Sequence, residues 1–89
     1  MAVPFHLSIA VPGKIVFDQD VVSLVVPAQL GYLGVLAHHA PIIARLKPGI
    51  ITLRTGENAP STFELKTNGF LEFSENKATL ILDSVELPS

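Results

Sequence analysis

Gly31-Tyr32-Leu33-Gly34-Val35-Leu36-Ala37-His38-His39-Ala40-Pro41 sets two glycines three residues apart ahead of a His-His-Ala-Pro corner, between long apolar runs. Glycine reaches positive φ or lets another backbone come close, so this stretch reads as a short strand, Leu33 to Leu36, framed by special backbone positions. Pro41 pushes Ala40 into an extended conformation, which argues against a helix starting at the corner. The chain here turns sharply and then resumes a strand.

Outward from that stretch the same alternation recurs. Val3, Phe5, Leu7 and Ile9 alternate with Pro4, His6, Ser8 and Ala10, the period of two of a half-buried strand. Val11-Pro12-Gly13-Lys14 interrupts it, Ile15 to Phe17 form a second strand, and Asp18-Gln19-Asp20 is expected to turn the chain into Val21 to Pro27. Beyond the corner come Ile42 to Leu46, Ile50 to Thr55, Ser61 to Lys66, Phe70 to Ser74 and Ala78 to Ser84. Lys47-Pro48-Gly49 fits a type II turn, Pro fixing the first corner and Gly supplying positive φ at the second. No segment sustains a period of 3.6, so the fold class is all-β, a small antiparallel sandwich or flattened barrel of about eight to ten short strands.

Composition limits what such a domain can do. In 89 residues, 48% are hydrophobic and only 16% charged, with a formal net charge of −2. The six Lys and Arg residues are scattered, which excludes the clustered positive charge that nucleic acid requires. The absence of cysteine removes disulfides, thiolate metal sites and a Cys nucleophile. No run reaches the roughly 20 apolar residues of a membrane-spanning helix, and the N-terminus lacks the basic and apolar regions of a signal peptide. So much apolar side chain in so small an interior implies an outward patch. Taking Val22, Leu24 and Val26 as core, the expected outward set is Val21, Val25, Ile43, Ile50, Phe70 and Ile81.

Candidate chemistry fails on spacing. His38 and His39 are adjacent, so their side chains diverge in extended backbone, and zinc needs three or four convergent ligands. Ser23, His39 and Asp83 make a triad on paper only, without a Gly-x-Ser-x-Gly elbow. Gly31-x-x-Gly34 opens no helix and is too short for a phosphate loop. No catalytic residue, metal site or cofactor is expected. An alternative class remains, a β-barrel carrier or enzyme for a small apolar ligand, which would require a concave pocket of some hundreds of Å³.

Gly31, Leu33, Gly34, Val35, His39, Ala40 and Pro41 fit the pattern Gly-x-x-Gly-aliphatic-x-x-x-His-Ala-Pro, supported by Lys47-Pro48-Gly49 and by Gly69-Phe70-Leu71-Glu72. This pattern resembles the N-terminal domain of the epsilon subunit of rotary F-type ATP synthases, called delta in mitochondria. The resemblance implies a β-sandwich over residues 1–84 and a tail, 85–89, where that family's helical hairpin would begin. It implies a non-catalytic rotor subunit of the central stalk, linking the gamma subunit to the membrane c-ring and supporting the coupling of proton transport to ATP synthesis. Such a subunit is peripheral, on the cytoplasmic face of the inner (plasma) membrane. The ring-facing loop would be Gln29, Leu30, Gly31, Tyr32 and Leu33; the gamma-facing residues would be His39, Ala40, Pro41, Val21, Val25, Ile43 and Phe70. Three residues depart from the family pattern: Tyr32 stands where an acid is frequent, Ala37 where proline is, and Asn68 where a second glycine precedes Gly69. Asn68 would serve there through its tolerance of left-handed backbone.

Overall fold

The computed structural model describes residues 3–56 and 59–83, which form nine strands. In chain order they are β1 (Phe5–Val11), β2 (Lys14–Val21), β3 (Ser23–Ala28), β4 (Gly31–Val35), β5 (Ile42–Leu46), β6 (Gly49–Arg54), β7 (Ser61–Leu65), β8 (Gly69–Ser74) and β9 (Lys77–Leu82). The expected tail 85–89 lies outside the described residues.

One hydrogen-bonded ladder, β2-β1-β9-β8-β5-β3-β6-β7 with β4 on β3, folds over on itself. Its two layers are β2-β1-β9-β8-β5 and β4-β3-β6-β7. They are joined where Ala28 of β3 pairs with Leu46 of β5. Pairing is antiparallel except between β1 and β9, which run parallel from His6↔Lys77 to Ala10↔Ile81. Alternation in sequence becomes alternation in burial, most plainly in β8, where Gly69, Leu71 and Phe73 are buried and Phe70, Glu72 and Ser74 exposed. Phe5, Leu7, Ile9, Leu24, Leu46, Ile51, Leu65, Leu71, Phe73 and Leu80 fill the space between the layers. Among the described residues no polar or charged side chain is buried there. Each such Leu or Phe stabilises the fold by about 1.5–3 kcal/mol.

Four expectations need correcting. Asp18-Gln19-Asp20 does not turn the chain: β2 runs through it, with His6↔Asp20 and Ser8↔Asp18 as cross-strand pairs. The break comes at Val22, whose N–H bonds to the Arg54 carbonyl (2.8 Å). That break changes strand parity, so Val21 points inward opposite Phe5 and is fully buried, whereas Val22 is only half-buried. Gly49 does not have positive φ, nor does Asn68. The combination expected at 47–49 occurs instead at Val11-Pro12-Gly13-Lys14, where Gly13 (φ 87) follows Pro12 in the β1–β2 hairpin.

Gly49 answers a different demand. A Cβ there would lie 2.6 Å from Pro27 Cβ and 3.0 Å from the Tyr32 hydroxyl. Pro27 offers no N–H, its carbonyl accepts from the Lys47 amide (2.9 Å), and the β3–β6 ladder ends at Val25↔Thr52. The Tyr32 hydroxyl then accepts the Ile50 N–H at 3.0 Å, so a phenol completes what the proline interrupts.

Candidate interaction surfaces

The strands run between two ends of the domain, about 17–20 Å apart by ordinary strand length. One end, the hairpin end, carries Pro12-Gly13, Gln29-Leu30, Lys47-Pro48 and Lys66 to Asn68. The other, the corner end, carries Val22, residues 36–41 and Glu75-Asn76. These assignments follow from the registers Val11↔Lys14, Ala28↔Gly31, Leu46↔Gly69, Gly49↔Leu65 and Ser74↔Lys77.

Of the expected loop Gln29 to Leu33, only Gln29 and Leu30 form the turn of a tight β3–β4 hairpin at the hairpin end, while Gly31, Tyr32 and Leu33 already pair in β4. Gly31 takes φ 132, and Leu30 is fully exposed (103%). Gln29 N–H bonds to the Arg45 carbonyl (3.0 Å), which fixes the hairpin against β5. Tyr32 remains 60% exposed while its hydroxyl serves Ile50, so it is both a surface ring and a structural acceptor.

His39, Ala40 and Pro41 lie at the corner end. His38 has φ 62, and its N–H donates to Asn76 Oδ1 (2.7 Å); Asn76 Nδ2 donates to the Pro4 carbonyl (3.2 Å). The His39 ring packs edge-on against Phe73, centroids 5.8 Å apart, and Phe73 in turn meets Phe5 at 5.6 Å. His39 Nδ1 lies 2.7 Å from the Ala40 carbonyl, which can only accept, so Nδ1 carries the proton.

The outer face of the β2-β1-β9-β8-β5 layer is graded along the strands. Nearest the hairpin end, Arg45, Phe70, Ile81, Ala10 and Ile15 form one cross-strand row over five strands. Phe70, Ile81 and Ile15 in it are exposed, and the Arg45 guanidinium lies 5.8 Å from the Phe70 centroid. The next row is Ile43, Glu72, Thr79, Ser8 and Asp18, and the last is Ser74, Lys77, His6 and Asp20. Ile15 escaped the sequence reading, which placed a strand there without weighing its outward face.

Within the polar rows one imidazole is clamped. His6 Nε2 faces Asp18 Oδ1 at 2.5 Å and Nδ1 faces Asp20 Oδ1 at 3.1 Å, while Ser8 Oγ donates to Asp18 Oδ1 (2.9 Å). Hydrogen bonds donated to Asp18 and then to Asp20 raise the His6 pKa above its ordinary 6.5. Those from His6 and then Ser8 lower the Asp18 pKa below 3.8. Ser8 donates to the carboxylate and not to the imidazole, so the trio holds a surface together rather than activating a nucleophile. The paper triad does not assemble either: His39 is at the corner end and Asp83 follows β9 at the hairpin end. Among the described residues no three His, Cys, Asp or Glu converge to hold a metal.

The expected gamma-facing set is therefore not one surface. Ile43 and Phe70 share the outer face just described. Pro41 joins Ile43 through a shallow groove of about 510 Å³ that Glu72 and Phe73 also line. Val25, half-buried, belongs to the opposite layer. Val21 is in the core and meets nothing outside, a correction that follows from the break at Val22.

Residues 4–88 match the family described as ATP synthase, Delta/Epsilon chain, beta-sandwich domain. The ATP synthase epsilon chain of Protochlamydia amoebophila is 45% identical over 82 residues, 92% of this chain and 55% of that one. The epsilon chain of a Bradyrhizobium species is 42% identical over 89% of this chain and 57% of its own. The chain thus spans a little over half the length of these relatives. The epsilon chain of Chlorobaculum tepidum, 37% identical, is matched over 91% of both. In solved structures the fold recurs in a chain of the Euglena gracilis mitochondrial ATP synthase (OSCP/F1/c-ring), with TM-score 0.87 and 17% identity over 94% of this chain and 53% of that one. It recurs also in the Tetrahymena thermophila mitochondrial ATP synthase central stalk and c-ring, with TM-score 0.76 and 13% identity over 96% and 67%.

Proposed function

Since the chain belongs to the ATP synthase delta/epsilon beta-sandwich family, we propose that it is a non-catalytic rotor component, joining a gamma subunit to the membrane ring of c subunits. In this role it supports the coupling of proton transport to ATP synthesis and sits peripherally on the cytoplasmic face of the membrane as part of the complex. The single observation that carries the reading is the distribution of exposed apolar side chains. Leu30 stands alone at a hairpin tip, and Phe70, Ile81 and Ile15 line up across one sheet face. A contiguous row of this kind favours burial against a partner protein. The Gln29 to Leu33 hairpin faces the ring, and the row, extended through Ile43 to the Pro41 corner, faces gamma. Val25 and Val21 drop out of the gamma surface for the reasons given above.

The small-ligand alternative loses its footing, because side chains occupy the space between the layers and the grooves open on the outside. The test is co-expression of the chain with the cognate gamma subunit. Co-purification is expected, with Phe70→Asp lowering the affinity at least tenfold and Leu30→Asp leaving it unchanged; that magnitude follows from burying an unpaired charge at an apolar contact. Loss of gamma binding in neither variant, or no association of the parent chain, defeats the proposal. In reconstituted synthase, Leu30→Asp is the variant expected to weaken ring attachment.

A further inference from the structure

Three residues other than glycine have positive φ among the described residues: His38 (62°), Glu75 (53°) and Asn76 (59°). His38 lies 37 and 38 positions from the adjacent pair Glu75-Asn76, yet the two segments meet at one hydrogen bond, His38 N–H to Asn76 Oδ1. Left-handed backbone in side-chain-bearing residues is costly and persists where the surroundings hold it. Asn76 supplies that hold three ways. Its Oδ1 accepts from the corner, its Nδ2 donates to the Pro4 carbonyl ahead of β1, and its own carbonyl accepts the His6 N–H (3.3 Å). Two of the three bonds need the amide side chain, one as acceptor and one as donor. Asparagine combines tolerance of left-handed backbone with a short amide that offers both at once.

We propose that Asn76 is the positioning residue of the His38-His39-Ala40-Pro41 corner. The β8–β9 turn reaches over, pins the His38 amide, and thereby seats His39 against Phe73 and directs Pro41 toward the groove beside Ile43. The partner half of this inference rests on the gamma-facing reading above; the intramolecular half does not. The latch works through geometry, since neither bond involves a side chain of the corner itself.

Asn76→Gly is the decisive variant, because glycine accepts φ 59 without strain and leaves the turn foldable. The expected result is a folded domain in which the His38 amide exchanges about five- to tenfold faster, the effect of one lost hydrogen bond. The His39 ring-proton resonances, shifted by the Phe73 ring in the parent, should move toward free-histidine positions. Asn76→Asp keeps the acceptor for His38 and loses the donor to Pro4, so it should restore slow His38 exchange and the His39 shifts. Unchanged His38 exchange and His39 resonances in Asn76→Gly, or no restoration in Asn76→Asp, overturn the latch. Gamma affinity, measured on the same three proteins, separates the two readings. A released corner with unaltered affinity refutes the corner's part in gamma binding and leaves the latch standing.

Discussion

The two ends of the sandwich meet the same backbone demands with opposite chemistry. At the hairpin end Gly13 and Gly31 supply the positive φ, and Gly49 and Gly69 supply the empty space that close packing requires. At the corner end His38, Glu75 and Asn76 enter left-handed backbone with their side chains attached, and Asn76 uses its amide to hold two other segments. The hairpin end takes its left-handed turns with glycine alone, whereas the corner end, in addition to Gly56, uses three side-chain-bearing residues and hydrogen bonds from one of them. The first is thus intolerant of a methyl group at Gly49 or Gly69, with the Tyr32 hydroxyl as its one side-chain support, and the second depends on the Asn76 amide.

The comparison breaks most easily at Gly69, where a Cβ would sit 2.5 Å from Leu82 Cδ2 and 2.8 Å from the Ile81 carbonyl oxygen. Gly69→Ala should cost about 1–3 kcal/mol in a urea melt, the ordinary penalty of overpacking. A midpoint equal to the parent's would show that the hairpin end has slack. Next in size is Tyr32→Phe, which strips the acceptor from the Ile50 N–H and should cost about 1 kcal/mol, together with faster exchange of that amide. If Ile50 exchange is unchanged, the phenol is not completing the ladder.

Smaller still is the pH dependence of the His6 clamp, which faces Asp18 and Asp20 on β2 and has Lys77 beside it on β9. The raised His6 pKa gives stability fully present below about 6.5 and lost as pH rises through the folded value. The lowered Asp18 pKa gives stability present above 3.8 and lost as pH falls through its folded value. Stability from this pair is therefore greatest between pH 3.8 and 6.5, and Asp18→Asn should flatten the profile on both flanks. A profile identical to the parent's would remove the clamp. The least effect on folding belongs to Gly34→Ala: with no positive φ and nothing within 4 Å of a Cβ, it should stay within about 0.5 kcal/mol of the parent. A large loss there would mean that glycine at the edge strand has a structural reason not visible in its surroundings.

Much of this was legible in the order of residues. Ile42 to Leu46 was placed to the residue, and the outward Ile43, Ile50, Phe70 and Ile81 follow from parity within single strands. Parity carried across a break does not survive: nothing local to Val22 announces the bend, so alternation alone puts Val21 on the wrong side. Asp18 and Asp20 read as turn residues because aspartate is common in turns, and only the opposing His6 and Ser8 reveal why they stand in a strand. Gly49 illustrates the same limit. A Pro-Gly pair signals a turn locally, but the collision with Pro27 depends on a residue 22 positions away. The Asn76 latch joins Pro4, His38 and the β8–β9 turn, and no short motif contains all three.

The parallel pairing of β1 with β9 has a bearing on how the chain is made. In the ladder the β1–β2 hairpin is attached to the rest through β9 alone, the last of the described strands in chain order. The hairpin's ladder to the rest of the sheet therefore forms only after β9 has been made, so the sheet is completed late in synthesis. Arrest of translation before β9 would leave Leu7 and Ile9 without Ala78 and Leu80, their partners across the parallel ladder, a state more in need of a chaperone than the finished domain.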